Sequence, residues 1–236
     1  MQDRRARGAF GLLAIVLVTL SVLVTGCTGS AGGSTNSDNA PLPNADTLLA
    51  ASSASMRTVR SVHFTLAVTG NLPSLPVTNA EGDLDSAGRA AGTAKLIEFG
   101  QLIEAKFVLI NKTFYLLGPT GGWQRFPATL AGNLFDPTVI LDANRGVGHV
   151  FGNVKNARTV DEETVNGVST YKITGTVSQD VLTPLLPGLN AGGTATIWVT
   201  SDAKHLPVKG DFVVSGATIE VTVSHVNEPI SVSAPS

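Results

Sequence analysis

The stretch GTAKLIEFGQLIEAKFVLI, Gly92 to Ile110, reads as two strands, Gly92 to Phe99 and Leu102 to Ile110, folded back on each other around Gly100. In the second arm Glu104 and Lys106 share one face, leaving Ile103, Ala105, Phe107 and Leu109 on the other, because successive side chains of a strand point to opposite sides. The apolar face points inward. The hairpin predicts an antiparallel sheet with one covered side.

Working outward, the same alternation recurs upstream, where Val62, Phe64, Leu66 and Val68 interleave with His63, Thr65, Ala67 and Thr69 until Gly70, Pro73 and Pro76 end the run. Downstream, Asn111-Lys112 turns the chain into Thr113 to Leu117, and Gly118 to Gly122 leads to Trp123 to Phe126. Strands 154 to 163 and 168 to 176 flank Asn166-Gly167, a dipeptide suited to a type I′ hairpin turn. Three more runs close the chain: Thr194 to Thr200, Leu206 to Val214 and Ala217 to Val226. Helical signals are few. Asn44 or Asp46 caps a helix carrying Leu48, Leu49, Met56 and Val59 at a spacing of about 3.6. Asp136-Pro137 reads as an N-cap followed by Pro at the first helical position, opening Thr138 to Leu141. A turn or two follows Gly146 with Val147, Val150 and Phe151, and Ser178 caps a short helix ending near Pro184. About ten strands and roughly three or four short helices, without regular strand-helix alternation, give an α+β fold: an antiparallel sheet with helices on one face, not a doubly wound one.

Composition supports one packed domain. Of 236 residues 43% are hydrophobic and 14% charged, which excludes disorder, and the length suits a single domain with appendages. Residues 1 to 26 read as an export signal, with Arg4, Arg5 and Arg7 before an almost wholly apolar run from Gly8 to Val24. Removing it takes three of the 16 bases and one of the 18 acids, leaving 13 against 17, a net charge of −4. An acidic chain has no broad phosphate-binding field, so no nucleic-acid partner is expected.

The signal ends Val24-Thr25-Gly26-Cys27, which resembles the bacterial lipobox, with Val24 at the position where Leu is commoner. The resemblance implies that Cys27, the only cysteine, takes a diacylglyceryl group and becomes the first mature residue. Arg4-Arg5 lacks the flanking residues of a twin-arginine signal, which favours export of an unfolded chain. Two acyl chains anchor stably where one binds marginally, which puts the protein on the outer face of the cell membrane. Thr28 to Asn39 holds only Gly, Ser, Thr, Ala, Asn and Asp, a flexible tether spanning roughly 20 Å on average. The expected layout is signal 1–26, acylated Cys and tether 27–42, and one domain 43–236.

Chemistry is hard to place on this sequence. Gly167-Val168-Ser169-Thr170-Tyr171 lacks the second Gly of a hydrolase elbow. His63, His149, His205 and His225 include no pair four apart for a metal, and an acylated Cys27 leaves no thiolate. Asp83 and Asp85 resemble the start of a calcium loop, but Ala87 and Ala94 stand where oxygen ligands are needed, so a polar turn between strands is expected. Asp161, Glu162 and Glu163 read as a solvated hairpin tip, and Gly118, Gly121 and Gly122 lack the Lys and helix of a phosphate loop. Trp123 and Trp198 suit either a ligand stack or the core. No catalytic residue, metal or cofactor is assigned, and the chain is not expected to be an enzyme.

The ordered features resemble a known family, the mycobacterial and actinobacterial LppX, LprA, LprF and LprG lipoproteins. The resemblance rests on Ser61-Val62-His63, Glu81-Gly82-Asp83-Leu84, Ala105-Lys106-Phe107-Val108, Phe135-Asp136-Pro137 and Ile140-Leu141-Asp142. It continues through Asn144-Arg145-Gly146-Val147, Val165-Asn166-Gly167, Lys172-Ile173-Thr174-Gly175 and Thr196-Ile197-Trp198-Val199. The stretches Ile140 to Gly152 and Pro184 to Gly193 look most like the LprF members. One departure is Val226-Asn227, where the relatives carry Trp then Gly, and it bears on packing near Pro229.

The resemblance implies a curved, unclosed, half-barrel-like antiparallel sheet with short helices on its concave face around an apolar cavity, similar to the carriers LolA and LolB. It also implies binding of an acylated lipid or glycolipid and its carriage between membranes, on the periplasmic side in mycobacteria. The family's pocket wall falls on Ala94, with Leu96 on the same face. Alternation adds Leu66, Ile103, Phe107 and Leu109, and the helices add Val139, Ile140, Val150 and Phe151. Aliphatic walls suit acyl chains, but the same pattern also builds an ordinary filled core. Two other functions stay open: an accessory or signalling lipoprotein docking on a membrane transporter or sensor kinase, and a secreted hydrolase. A monomer is expected.

Overall fold

Four two-residue turns organise the sheet: Phe99-Gly100, Asn111-Lys112, Asn166-Gly167 and Ser215-Gly216, in each of which both residues have positive φ, between +49° and +83°. That is the type I′ requirement, whose backbone twist matches the strands it joins. The computed structural model describes residues 41–73, 75–119, 121–127 and 137–236. The signal 1–26, Cys27, the tether as far as Ala40 and the Asp136 cap lie outside the described residues.

The strands are β1 (Ser61–Thr69), β2 (Val77–Asp85), β3 (Ala90–Glu98), β4 (Gln101–Ile110), β5 (Thr113–Leu117), β6 (Trp123–Pro127), β7 (Lys155–Val165), β8 (Val168–Val177), β9 (Gly193–Thr200), β10 (Pro207–Val214) and β11 (Ala217–Ser224). They form one antiparallel sheet in the order β6-β5-β4-β3-β2-β1-β11-β10-β9-β8-β7, with β6 and β7 as its edges. Two meanders, β1 to β6 and β7 to β11, are thus joined by the β1–β11 pairing, Phe64 opposite Val223 and Leu66 opposite Val221. The sheet is curved and unclosed. Register shifts at Val77/Asn79, Pro207/Lys209 and twice within β7 mark local bends. At Gly92, opposite Gly82, a methyl group would lie 2.0 Å from the Glu81 carbonyl oxygen, so only glycine lets β2 and β3 approach this closely.

Sequence patterning predicts ten of these eleven strands. The additional one is β2, and it corrects the expected polar turn at Asp83 and Asp85, both of which lie in the strand. Its sequence, VTNAEGDLD, is rich in poor strand formers, and pairing on both sides with β1 and β3 overrides that local preference. The turn is instead Ser86 to Arg89. There the buried Asp85 accepts from the N–H groups of Ala87 and Arg89, at 3.0 Å each, and pairs with the Arg89 guanidinium at 2.6 Å.

One face of the sheet is covered. Helix α1 (Ala45–Met56) is capped by Asn44, whose side chain accepts from the Thr47 N–H, and it buries Leu48, Leu49 and Met56. Between β6 and β7 come a 3₁₀ helix, Pro137–Leu141, and α2 (Val147–Gly152); between β8 and β9 comes α3 (Gln179–Leu182). Ser178 stands at the N-cap of α3 without a capping side-chain bond. Their apolar residues merge with the inner-face positions of the strands into one core in which Val62, Phe64, Leu84, Val150, Ile173 and Ile219 are fully buried. At the departure near Pro229, Asn227 adopts the positive φ (+64°) that Gly favours. Its side chain accepts from the Arg60 N–H and its own N–H donates to Ser61, while Val226 packs on the core. Among the described residues no helix is long and apolar enough to cross a membrane.

Candidate functional site: an apolar seam between sheet and helices

Alternation places the inner-face side chains in cross-strand rows. One runs Phe64, Gly82, Gly92, Phe107 and Leu116 from β1 to β5, and the next runs Leu66, Ala80, Ala94 and Ala105. On the other meander Val221, Gly210, Ile197 and Ile173 form a third. Small residues recur in these rows, so the sheet leaves room beneath the helices. Phe107 and Phe114 stack with ring centroids 6.2 Å apart.

Three apolar spaces lie in this room. About 50 Å³ is bordered by Ala80, Ala94, Leu96, Phe107, Leu116 and Pro137. About 10 Å³ is bordered by Phe64, Leu66, Ile140, Leu182 and Phe212, and about 20 Å³ by Val150, Phe151, Leu185, Phe212 and Val223. The last two share Val147, Leu185, Phe212 and Val221, and the first adjoins them where Leu66 pairs with Ala80 and where the 3₁₀ helix supplies Pro137 to one and Ile140 to the other. Together they trace a seam from β3–β5 to β10–β11. Apart from Lys209 its walls are apolar, and in this conformation it is narrow.

Of the wall residues expected from sequence, Leu66, Ala94, Leu96, Phe107, Ile140, Val150 and Phe151 border these spaces. Leu109 and Val139 are buried in the core beside the seam, and Ile103 sits half-buried opposite Leu96; none of the three borders it. Sequence reasoning did not single out Phe212, Val221, Leu185 or Leu186. Alternation marks the first two as inward-facing, but only the β1–β11 pairing brings them to the same seam as Leu66.

Polar groups gather on the opposite, outer face. An open hollow of about 300 Å³ there is lined mostly by polar or small residues, among them Thr65, Ala67, Asn79, Glu81, Thr93 and Lys95. Trp198 is also an outer-face residue, only 6% exposed, with the Lys172 and Lys209 ammonium groups 5.3 and 5.0 Å from its ring centroid. Its indole N–H donates to Glu163, which with the Lys172 ammonium holds that carboxyl below the usual range. Glu163 is therefore a structural partner, correcting the expectation that Asp161 to Glu163 form only a solvated tip. Burial pushes the Asp211 carboxyl up, although Lys209 lies 3.3 Å away. Burial acts to lower Lys209, but Glu220, at 2.6 Å, and Asp211 outweigh it and leave its pKa raised.

His63 and His225 meet edge to face at 5.6 Å, with Asp83 Oδ1 2.8 Å from His63 Nδ1, while His149 and His205 bond locally to Asn153 and Thr200. Among the described residues no cluster of three or more His, Cys, Asp or Glu is arranged to hold a metal.

Comparison with known proteins agrees with this architecture. The lipoarabinomannan carrier protein LprG of Mycolicibacterium smegmatis is 34% identical over 205 residues, covering 84% of this chain and 86% of that one. The protein of the same name in Mycobacterium tuberculosis is 30% identical over 199 residues, covering 83% and 84%. Among solved structures, LprF from Mycobacterium bovis superposes with a TM-score of 0.74 at 26% identity, covering 84% of this chain and 99% of that one. The Mycobacterium tuberculosis lipoprotein LppX shares the fold, with a TM-score of 0.62 at 22% identity, covering 80% and 98%. Residues 44–232 match the model of the LppX_LprAFG lipoprotein family, and the chain belongs to that family.

Proposed function

We propose that the seam takes up the acyl chains of a lipid or glycolipid and that the protein carries this cargo between membranes of the cell envelope. The observation that carries the proposal is the alignment of three apolar spaces between one sheet face and a thin helical cover. Relatives named lipoarabinomannan carrier protein support the cargo class. Ligand pockets typically measure about 300–1,000 Å³, several times the 50 Å³ of the largest space. Loading therefore requires the short helices to separate from the sheet. Apolar contacts suit this, because they are non-directional and re-form against acyl chains.

On the same reading residues 1–26 are removed, Cys27 carries a diacylglyceryl anchor, and 27–42 tether domain 43–236 to the outer face of the cell membrane, on the periplasmic side. No catalytic step and no cofactor is assigned. The test is mass spectrometry of an organic extract of the purified, non-acylated domain. An acylated lipid in near-stoichiometric amount is the expected result. Protein that arrives empty and takes up no added diacyl lipid refutes the proposal.

A further inference from the structure

At its tip the β3–β4 hairpin departs from the apolar-in, polar-out pattern that most of the sheet follows, and its exposed apolar side chains are larger than the single valines Val160, Val168 and Val213 exposed elsewhere on the strands. Leu96 and Ile103 form an inner-face pair, and the next rung, Ile97 opposite Leu102, puts a second apolar pair on the outer face. Ile97 is 51% exposed and Leu102 65%. Phe99, in the turn itself, is 98% exposed. The tip thus carries apolar side chains on both faces and at its end, interrupted by the polar rung Glu98–Gln101. Leu72 and Val77 lie beside Ile97, whose N–H donates to the Pro76 carbonyl, and among the described residues Leu102 and Phe99 stay largely uncovered.

Phe99 carries a second anomaly. Its φ is +49°, the left-handed region that a type I′ turn demands at its first central residue. Asn, Asp or Gly fills that place at little cost, whereas a bulky aromatic there is an outlier. The same residue thus accepts both unfavourable hydration and an unfavourable backbone, without a packing contact in return. Features that break local rules with no gain in the fold are expected at functional sites.

We infer that this hairpin tip is a membrane-docking device, inserting Phe99, Ile97 and Leu102 into the interfacial layer of a bilayer. Two observations select a bilayer as the occupant. The described fold begins at Pro41, 14 residues after Cys27, and that length of chain reaches up to roughly 45 Å when extended, so an anchored domain stays within touching distance of its membrane. The hairpin's charges also balance over its length, Lys95 and Lys106 against Glu98 and Glu104, with Glu98 the one charge between Ile97 and Leu102, so the hairpin carries no net charge to steer it onto a charged protein surface. The first observation rests on the anchoring proposed above; the anomaly at Phe99 does not. Leu96 borders the wide end of the seam, one residue before Ile97. Docking by the tip therefore sets the seam's end beside the lipid surface from which cargo would be drawn.

The experiment uses the full acylated chain, reconstituted by its own anchor into phosphatidylcholine vesicles whose acyl chains are brominated. Phe99→Trp places a fluorophore at the tip, to be compared with the unsubstituted protein, whose two tryptophans are Trp123 and Trp198. The expected result is an added emission component, blue-shifted and quenched by the brominated chains, the same at 50 mM and 500 mM salt because the inserted side chains are apolar and phosphatidylcholine bears no net charge. Added emission at the wavelength of water-exposed Trp and without quenching overturns the proposal. So does quenching that disappears at high salt. Phe99→Asn, which suits the turn, is expected to keep or raise the melting temperature while slowing lipid uptake from vesicles at least tenfold. Uptake at the unsubstituted rate by this variant also overturns the proposal. Quenching in a protein that extracts no lipid upholds docking and refutes the carrier function alone.

Discussion

Ala94→Trp separates a seam that opens for cargo from a core that is merely loose. Ala94 lies between Ala80 on β2 and Ala105 on β4, in a row of three alanines facing the helical cover. The space beside it is about 50 Å³, far below the roughly 300–1,000 Å³ of a ligand pocket. Ala94, Leu96 and Leu116 are only half-buried, so this end of the seam has an open rim over which an indole can lean. If the seam opens, the ring occupies volume that acyl chains would take and the rim relieves the strain. The melting temperature then stays within about 2 °C of the unsubstituted protein, and bound lipid falls at least tenfold. If these side chains form a fixed core, overpacking costs about 1–3 kcal/mol, and at about 2–4 °C per kcal/mol for a fold of this size the melting point drops by about 2–12 °C. Calorimetry and lipid extraction on the same two samples read both quantities. A lowered melting point with unchanged lipid content refutes the carrier assignment.

Other parts of the structure yield further expectations. Gly92→Ala brings a methyl group to 2.0 Å from the Glu81 carbonyl oxygen; because the obstacle is backbone, a loss of about 3 kcal/mol or more is expected, and a melting point within 2 °C of the unsubstituted protein would contradict the close approach of β2 and β3. Asp142 joins the 3₁₀ helix to α2, accepting from the N–H groups of Asn144 and Arg145 and from the Arg145 guanidinium, the last holding its carboxyl below the usual 3.8. A depressed carboxylate contributes stability that is full above its unfolded pKa and lost as pH falls through the folded value. Asp142→Ala should therefore cost about 1–2 kcal/mol at pH 7, with the difference narrowing below about pH 4; a gap that stays constant from pH 7 to pH 2.5 in paired thermal melts argues against the ionic contribution. Cys27→Ala, expressed in Mycolicibacterium smegmatis, should abolish the lipid-dependent part of detergent-phase partitioning, and unchanged partitioning removes the anchor.

Local rules sufficed wherever the determining interaction is local. Asn166-Gly167 announces its turn because positive φ is a property of the dipeptide, and the faces of β1 and β4 follow from a two-residue period. Asn44, with its cap to Thr47, is legible for the same reason, and so are the inward side chains Leu66, Phe107, Val150 and Phe151, whereas Ala94 was picked out by the family resemblance. Strand β2 was not legible, because Asn79, Glu81, Gly82 and Asp83 have little strand preference of their own and become a strand only between two partners. Trp198 was undecidable from periodicity, since Ile197 and Val199 beside it are apolar as well; the sheet sends it outward, under two lysines and onto Glu163. The seam belongs most of all to tertiary structure. Leu66 and Phe212 border the same space only because β1 pairs with β11 and β11 with β10, across well over a hundred residues of chain. A sequence period shows which way a side chain points, whereas the side chain it meets depends on which strands become neighbours.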